Sequence, residues 1–124
     1  MNILLIDDDE EDAELFTLAL QNVAPAWQCT SAKTCDQGLA LIQSGEIKPS
    51  HIFLDGMLNG MSSKDCLVTL KASELLKGTR IIMYSGFGHK EVQQQFLDLG
   101  ADQFVQKPSD FFQLQRELKR VLEV

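Results

Sequence analysis

The sequence predicts an α/β protein: a five-stranded parallel sheet with helices on both faces. Three observations carry that prediction. Short apolar runs recur along the 124 residues and each stops abruptly at polar residues. Between them lie longer segments whose apolar residues return at three- and four-residue intervals, the stripe of an amphipathic helix. The run His51-Ile-Phe-Leu54 has no polar alternation and follows the turn signal Lys48-Pro49-Ser50, which suits a central strand covered on both sides. Strands alternating with helices imply right-handed crossovers and parallel pairing.

Taken in order, residues 2–6 form a first strand, and Asp7-Asp8-Asp9 follows as strand end, loop and helix cap. Residues 10–23 carry Leu15, Phe16, Ala19 and Val23 as the apolar stripe of a first helix, with acidic residues in its opening turn where the helix dipole favours them. Pro25 ends it. Residues 27–31 read as a weak second strand, and Thr34 with Gln37 is a capping-box signature for a helix that turns Leu39 and Ile42 inward and stops at Gly45. The third strand is residues 51–54. Ser62 and Asp65 suggest the cap of a third helix with Cys66, Leu67 and Leu70 inside, fraying near Gly78. Residues 80–84 are a fourth strand ending at Ser85, and Val92, Phe96 and Leu99 mark a fourth helix closed by Gly100. Residues 103–106 make a short fifth strand ending at Lys107-Pro108. The last helix begins after Ser109, with Leu114, Leu118 and Val121 on one face.

The totals bound the function. A chain of 124 residues with 44% hydrophobic content is expected to be one domain, residues 1–124, able to bury about two thirds of its unfolded surface. The net charge of −7, with 11 scattered Lys and Arg residues, argues against a nucleic-acid surface. Seven of the 18 acidic residues fall between Asp7 and Glu14. The apolar start is too short for a signal peptide or a membrane span, so a cytoplasmic protein without a membrane partner is expected. Cys29, Cys35 and Cys66 are odd in number and lack metal-site spacing, so reduced, mostly buried thiols are expected.

In parallel sheets ligands bind beyond the carboxyl ends of the strands, where strand order reverses. Four strands place polar residues there: Asp7 and Asp8, then Asp55, Ser85 and Lys107. Singly, each has a plain structural reading as cap, turn or strand end; their joint placement does not. Each pair of carboxylates about 4 Å apart costs about 4 kcal/mol at an effective dielectric near 20, so a cation must join them or their pKa values must rise. Oxygen ligands without Cys or His favour Mg²⁺ completed by water and phosphate oxygens. Such an ion, with Lys107 and Ser85, would surround a phosphoryl group beside Asp55. That is a phosphoryl-transfer site with a carboxylate nucleophile.

At Ile3-Leu-Leu-Ile-Asp-Asp-Asp9, Phe53-Leu-Asp55, Met83-Tyr-Ser-Gly86 and Phe104-Val-Gln-Lys-Pro108, the chain resembles the receiver domain of two-component response regulators along nearly its whole length. The resemblance implies a flavodoxin-like three-layer α/β/α fold with strand order 2-1-3-4-5, an order for which a receiver is one of the standard examples. It implies a stand-alone, CheY-like response regulator: a phosphoprotein signalling in a phosphorelay rather than an enzyme, acting only on its own phosphorylation. Asp55 would accept the phosphoryl group from a histidine kinase or histidine phosphotransfer protein. Asp8 would bind Mg²⁺ directly, Asp7 largely through water, and the Met57 backbone carbonyl would be a further ligand. Lys107, joined to Pro108 by a cis bond, would pair with the phosphoryl group, and Ser85 would bond one of its oxygens. Ser85 and Phe104 would form the switch, and Met57, Gly86 and Phe87 would flank the phosphoryl group. The fourth helix, fifth strand and last helix would present the surface for a downstream protein.

Some positions depart from the family pattern. Asn59 stands at a frequent proline, Ser62-Ser63 replaces a common Asp-Gly, and a looser loop after Asp55 is expected. Phe104 lacks the hydroxyl of the usual tyrosine. Apolar Met57 and Phe87 would screen Asp55 from water and lengthen the life of the phosphoryl form. Two rival classes fare worse. An aspartate-nucleophile phosphohydrolase needs a general acid two residues after the nucleophile, where Met57 stands. A constitutive interaction domain would not need the complete set of Asp7, Asp8, Asp55, Ser85 and Lys107. A flavin site lacks a phosphate-cradling loop after the first strand.

Overall fold

The structure is a computed structural model describing residues 1–58, 62–86 and 88–124. Strands and helices alternate as β1 (Asn2–Ile6), α1 (Glu10–Val23), β2 (Gln28–Ala32), α2 (Cys35–Gln43), β3 (His51–Asp55), α3 (Ser63–Ala72), β4 (Arg80–Ser85), α4 (Lys90–Asp98), β5 (Gln103–Gln106) and α5 (Phe111–Leu122). A 3₁₀ turn, Glu74–Leu76, replaces the frayed end expected of the third helix. All neighbouring strands pair in parallel in the order β2-β1-β3-β4-β5. This is the flavodoxin-like order, and it reverses direction between β1 and β3.

Local chemistry sets the helix starts. Asp9, Thr34, Ser62 and Asp110 each accept a hydrogen bond from the backbone N–H three residues on, at 3.0, 3.1, 3.1 and 2.8 Å. Each satisfies one of the N–H groups that a helix start leaves without an intrahelical partner. Gly45 follows α2 at φ +79°, a conformation only glycine adopts cheaply.

Because side chains alternate across a strand, the apolar runs feed two cores at once. Ile3, Leu5, Phe53, Ile82, Tyr84 and Val105 face α1 and α5. Leu4, Ile6, Ile52, Leu54, Ile81 and Met83 face α2, α3 and α4.

Three expectations are corrected. Leu15 is 46% exposed, and the buried stripe of α1 is Phe16, Ala19 and Leu20. A one-residue rotation of the stripe places Leu20 rather than Leu15 against the sheet. Cys35 and Cys66 are not free thiols: they form a disulfide with Cα atoms 5.9 Å apart. Both lie in the apolar cluster under α2 and α3, so the packing that buries them also brings them together. Only Cys29 remains a thiol, half-buried, and burial pushes it up to about 11. Finally, the Lys107–Pro108 bond is trans, since no cis peptide occurs among the described residues. No helix among the described residues is long and apolar enough to cross a membrane.

Candidate functional site

The reversal of strand order leaves a crevice at the carboxyl ends of β1 and β3. Register places the site residues there. β1 ends at Ile6 beside Leu54, so Asp7 and Asp55 leave adjacent strands at the same level. Asp55 lies opposite Tyr84, which puts Ser85 one step beyond it. Ser85 lies opposite Gln106, and the Lys107 N–H donates to the Ser85 carbonyl at 2.8 Å.

Carboxylate oxygens of Asp7, Asp8 and Asp55 all lie within 4.8 Å of one another. Asp7 and Asp55 are buried and Asp8 is half-buried. Burial pushes the Asp55 carboxyl up to about 6, and the Asp7 charge adds to the rise. Lys107 and a 3.1 Å bond from the Met57 N–H oppose it without cancelling it. The pocket therefore holds more negative charge than its own cation neutralises. A compact oxygen-only donor set in this state fits a hard divalent ion.

Lys107 reaches back over the site. Its Nζ lies 2.9 Å from Asp7 Oδ2, 2.9 Å from Asp12 Oδ2 and 3.8 Å from Asp55 Oδ1. It also sits 5.3 Å from the centre of the Tyr84 ring, within cation–π range. Burial by itself would lower the Lys107 pKa; the hydrogen bonds it donates to Asp12 and Asp7 and the charges of Asp55 and Asp7 outweigh it and hold the ammonium above the usual lysine range. Lys107 is thus held as the charged ammonium at neutral pH.

Ser85 is buried beside Gly56, where a Cβ would come within 2.8 Å of the Ser85 Cβ and Oγ. Glycine after Asp55 is what lets the hydroxyl lie next to the acceptor strand. Gly86 is exposed beyond β4, and Met57, 58% exposed, forms an apolar rim. Phe104 is half-buried, its ring 6.1 Å from that of Phe96 under the same edge. Phe87 and Asn59 lie outside the described residues.

The looser loop expected after Asp55 falls largely on residues 59–61, outside the described residues, while its two described ends are tied together. The buried Ser63 hydroxyl donates to the Asp55 carbonyl at 2.7 Å and accepts from the Leu58 N–H at 3.2 Å. Asp12, Gly56 and Ser63 are the site residues that sequence reasoning missed. Asp12 was hidden in a run of acids that the helix dipole already explains. The available hints were its spacing, one helical turn past Asp8, and the serine that replaces glycine at position 63.

The fold and site define a parallel α/β domain with an acidic, cation-seeking pocket at its switch point and a lysine poised over it. The chain belongs to the response regulator receiver domain family, whose model matches residues 3–119. It is 34% identical over 120 residues to the phosphate regulon transcriptional regulatory protein PhoB of Pseudomonas aeruginosa, covering 97% of this chain and 51% of that relative. The chain thus spans about half the length of the curated relatives it matches. Among solved structures, the signal receiver domain of a DNA-binding response regulator from Colwellia psychrerythraea superposes with a TM-score of 0.84 at 26% identity, covering 100% of this chain and 99% of the other. The chemotaxis protein CheY4 of Vibrio cholerae shares the fold with a TM-score of 0.81 at 21% identity, over 97% of each chain.

Proposed function

We propose that the chain is a phosphoacceptor switch: Asp55 takes a phosphoryl group from the phosphohistidine of a histidine kinase or phosphotransfer protein. An Asp55 carboxylate oxygen attacks phosphorus, the P–N bond breaks, and the imidazole leaves with its electron pair and takes up a proton. The observation that supports this most is the convergence of Asp7, Asp8 and Asp55 oxygens within 4.8 Å, with Lys107 Nζ 3.8 Å from Asp55. Asp8, Asp55 and the Met57 carbonyl would hold Mg²⁺, with Asp7 acting largely through water; the ion supplies charge neutralisation for the transferring group. Lys107 pairs with the phosphoryl oxygens and Ser85 donates to one of them.

Transfer of this kind needs positioning and charge more than covalent help from the protein, which is why the chain acts on itself rather than turning over a substrate. Met57 and Gly86 flank the group, and apolar Met57 slows attack by water. Drawing Ser85 and Lys107 toward the phosphoryl group biases Phe104, and α4, β5 and α5 carry the change to a downstream protein. The reading keeps the signal of this cytoplasmic domain on a protein surface, without nucleic-acid contact by these acidic 124 residues.

The test is incubation with Mg²⁺ and acetyl phosphate, followed by mass spectrometry of the intact chain. One phosphoryl group is expected on the native chain and on Lys107→Ala, and none on Asp55→Asn. No mass gain, or a gain that survives Asp55→Asn, would overturn the reading.

A further inference from the structure

Asp12 belongs to neither the acceptor nor the ion set, yet it takes half of the hydrogen bonding that fixes Lys107. A lysine ammonium has three N–H donors. Two are committed at 2.9 Å, to Asp7 Oδ2 and Asp12 Oδ2, while Asp55 Oδ1 at 3.8 Å is beyond hydrogen-bond reach. The ammonium is therefore drawn toward α1 and away from the acceptor carboxylate.

From this geometry we infer that Asp12 is a positioning residue: it parks Lys107 off Asp55 in the resting chain and competes with an incoming phosphoryl group for it. The inference rests on the phosphoacceptor reading and deepens it. Exposure singles out Asp12 as the partner that lets go. The Asp7 side chain is wholly buried whereas that of Asp12 is 39% exposed, so a released Asp12 returns to water and a released Asp7 could not. The backbone that carries the competing carboxylate is firmly placed. The Asp12 N–H is held at 3.0 Å by the Asp9 cap, so the first turn of α1 fixes the backbone from which Asp12 reaches over. A phosphoryl dianion on Asp55 is a stronger partner than one half-hydrated carboxylate. Lys107 then exchanges Asp12 for the phosphoryl oxygens while keeping Asp7 and the Tyr84 ring as its pivot.

The experiment measures Mg²⁺-dependent binding of beryllofluoride, a tetrahedral stand-in for the phosphoryl group, to the full chain by fluorine NMR. Asp12→Asn should bind it about threefold to fivefold more tightly than the native chain, the scale of a half-exposed ion pair. In a Lys107→Ala background the same substitution should change nothing, because a gain from charge removal alone would persist there and a gain through Lys107 would not. Unchanged or weaker binding by Asp12→Asn, or a gain that persists without Lys107, would overturn the inference. Failure of the native chain to bind beryllofluoride would instead overturn the phosphoacceptor reading beneath it.

Discussion

The sheet face under α1 and α5 packs around a cluster of three rings, where the face under α2, α3 and α4 has one aromatic pair, Phe96 and Phe104, beside β5 and is cross-linked elsewhere. On the first, Phe16, Phe53 and Tyr84 meet edge-on with ring centres 4.9, 5.7 and 6.1 Å apart. The Tyr84 ring of that cluster lies beside the Lys107 ammonium, and α1 contributes Asp12. On the second, Cys35–Cys66 ties α2 to α3, and α3 contributes Ser63, which grips the Asp55 carbonyl. Each layer thus supports one half of the chemistry: the aromatic layer sets the cation, and the cross-linked layer sets the acceptor loop. Strand β3 joins them, since Phe53 points into one layer, Leu54 into the other, and Asp55 emerges between.

The comparison breaks first at Phe53. It is 1% exposed and touches both other rings, so Phe53→Ala should cost about 3 to 5 kcal/mol in urea unfolding, by lost burial and the cavity left behind. A loss below about 1 kcal/mol would mean the aromatic layer is not what supports Lys107. The other layer is tested by its cross-link. The bridge closes a separation of 31 residues, so a Cys35→Ala/Cys66→Ala chain should be about 3 to 4 kcal/mol less stable than the oxidised native chain. Equal unfolding midpoints would remove the cross-link from the account.

These two layers also mark what the sequence could and could not disclose. Apolar runs such as Ile3–Ile6 and Ile52–Leu54 are unambiguous because both faces of each strand are buried. The polar residue that follows each run then lies at the carboxyl edge by necessity, which made Asp7, Asp55, Ser85 and Lys107 legible. Contacts that depend on how helices lie against one another were not. Asp12 is 95 residues from Lys107, and its meeting with that side chain depends on where α1 sits relative to the end of β5. Cys35 and Cys66 belong to different helices whose adjacency no local pattern encodes. Leu15 and Leu20 are both leucines of one helix, and only the rotation of α1 on the sheet decides between them.

The smallest expected effect is also the most direct probe of the shared carboxylate pocket. With Asp55 raised to about 6, chiefly by burial, the folded chain holds a proton there that the unfolded chain has already released. The contribution of this group to stability is therefore greatest at acid pH and falls as pH rises through about 6, and below that pH an ion must displace the proton. The decisive measurement is a Mn²⁺ titration followed by amide NMR at pH 7.5 and at pH 5. The account predicts paramagnetic broadening first at Asp8, Gly56 and Met57, with affinity about tenfold weaker at the lower pH. Broadening centred elsewhere in the acidic run, or an affinity indifferent to pH, would contradict it.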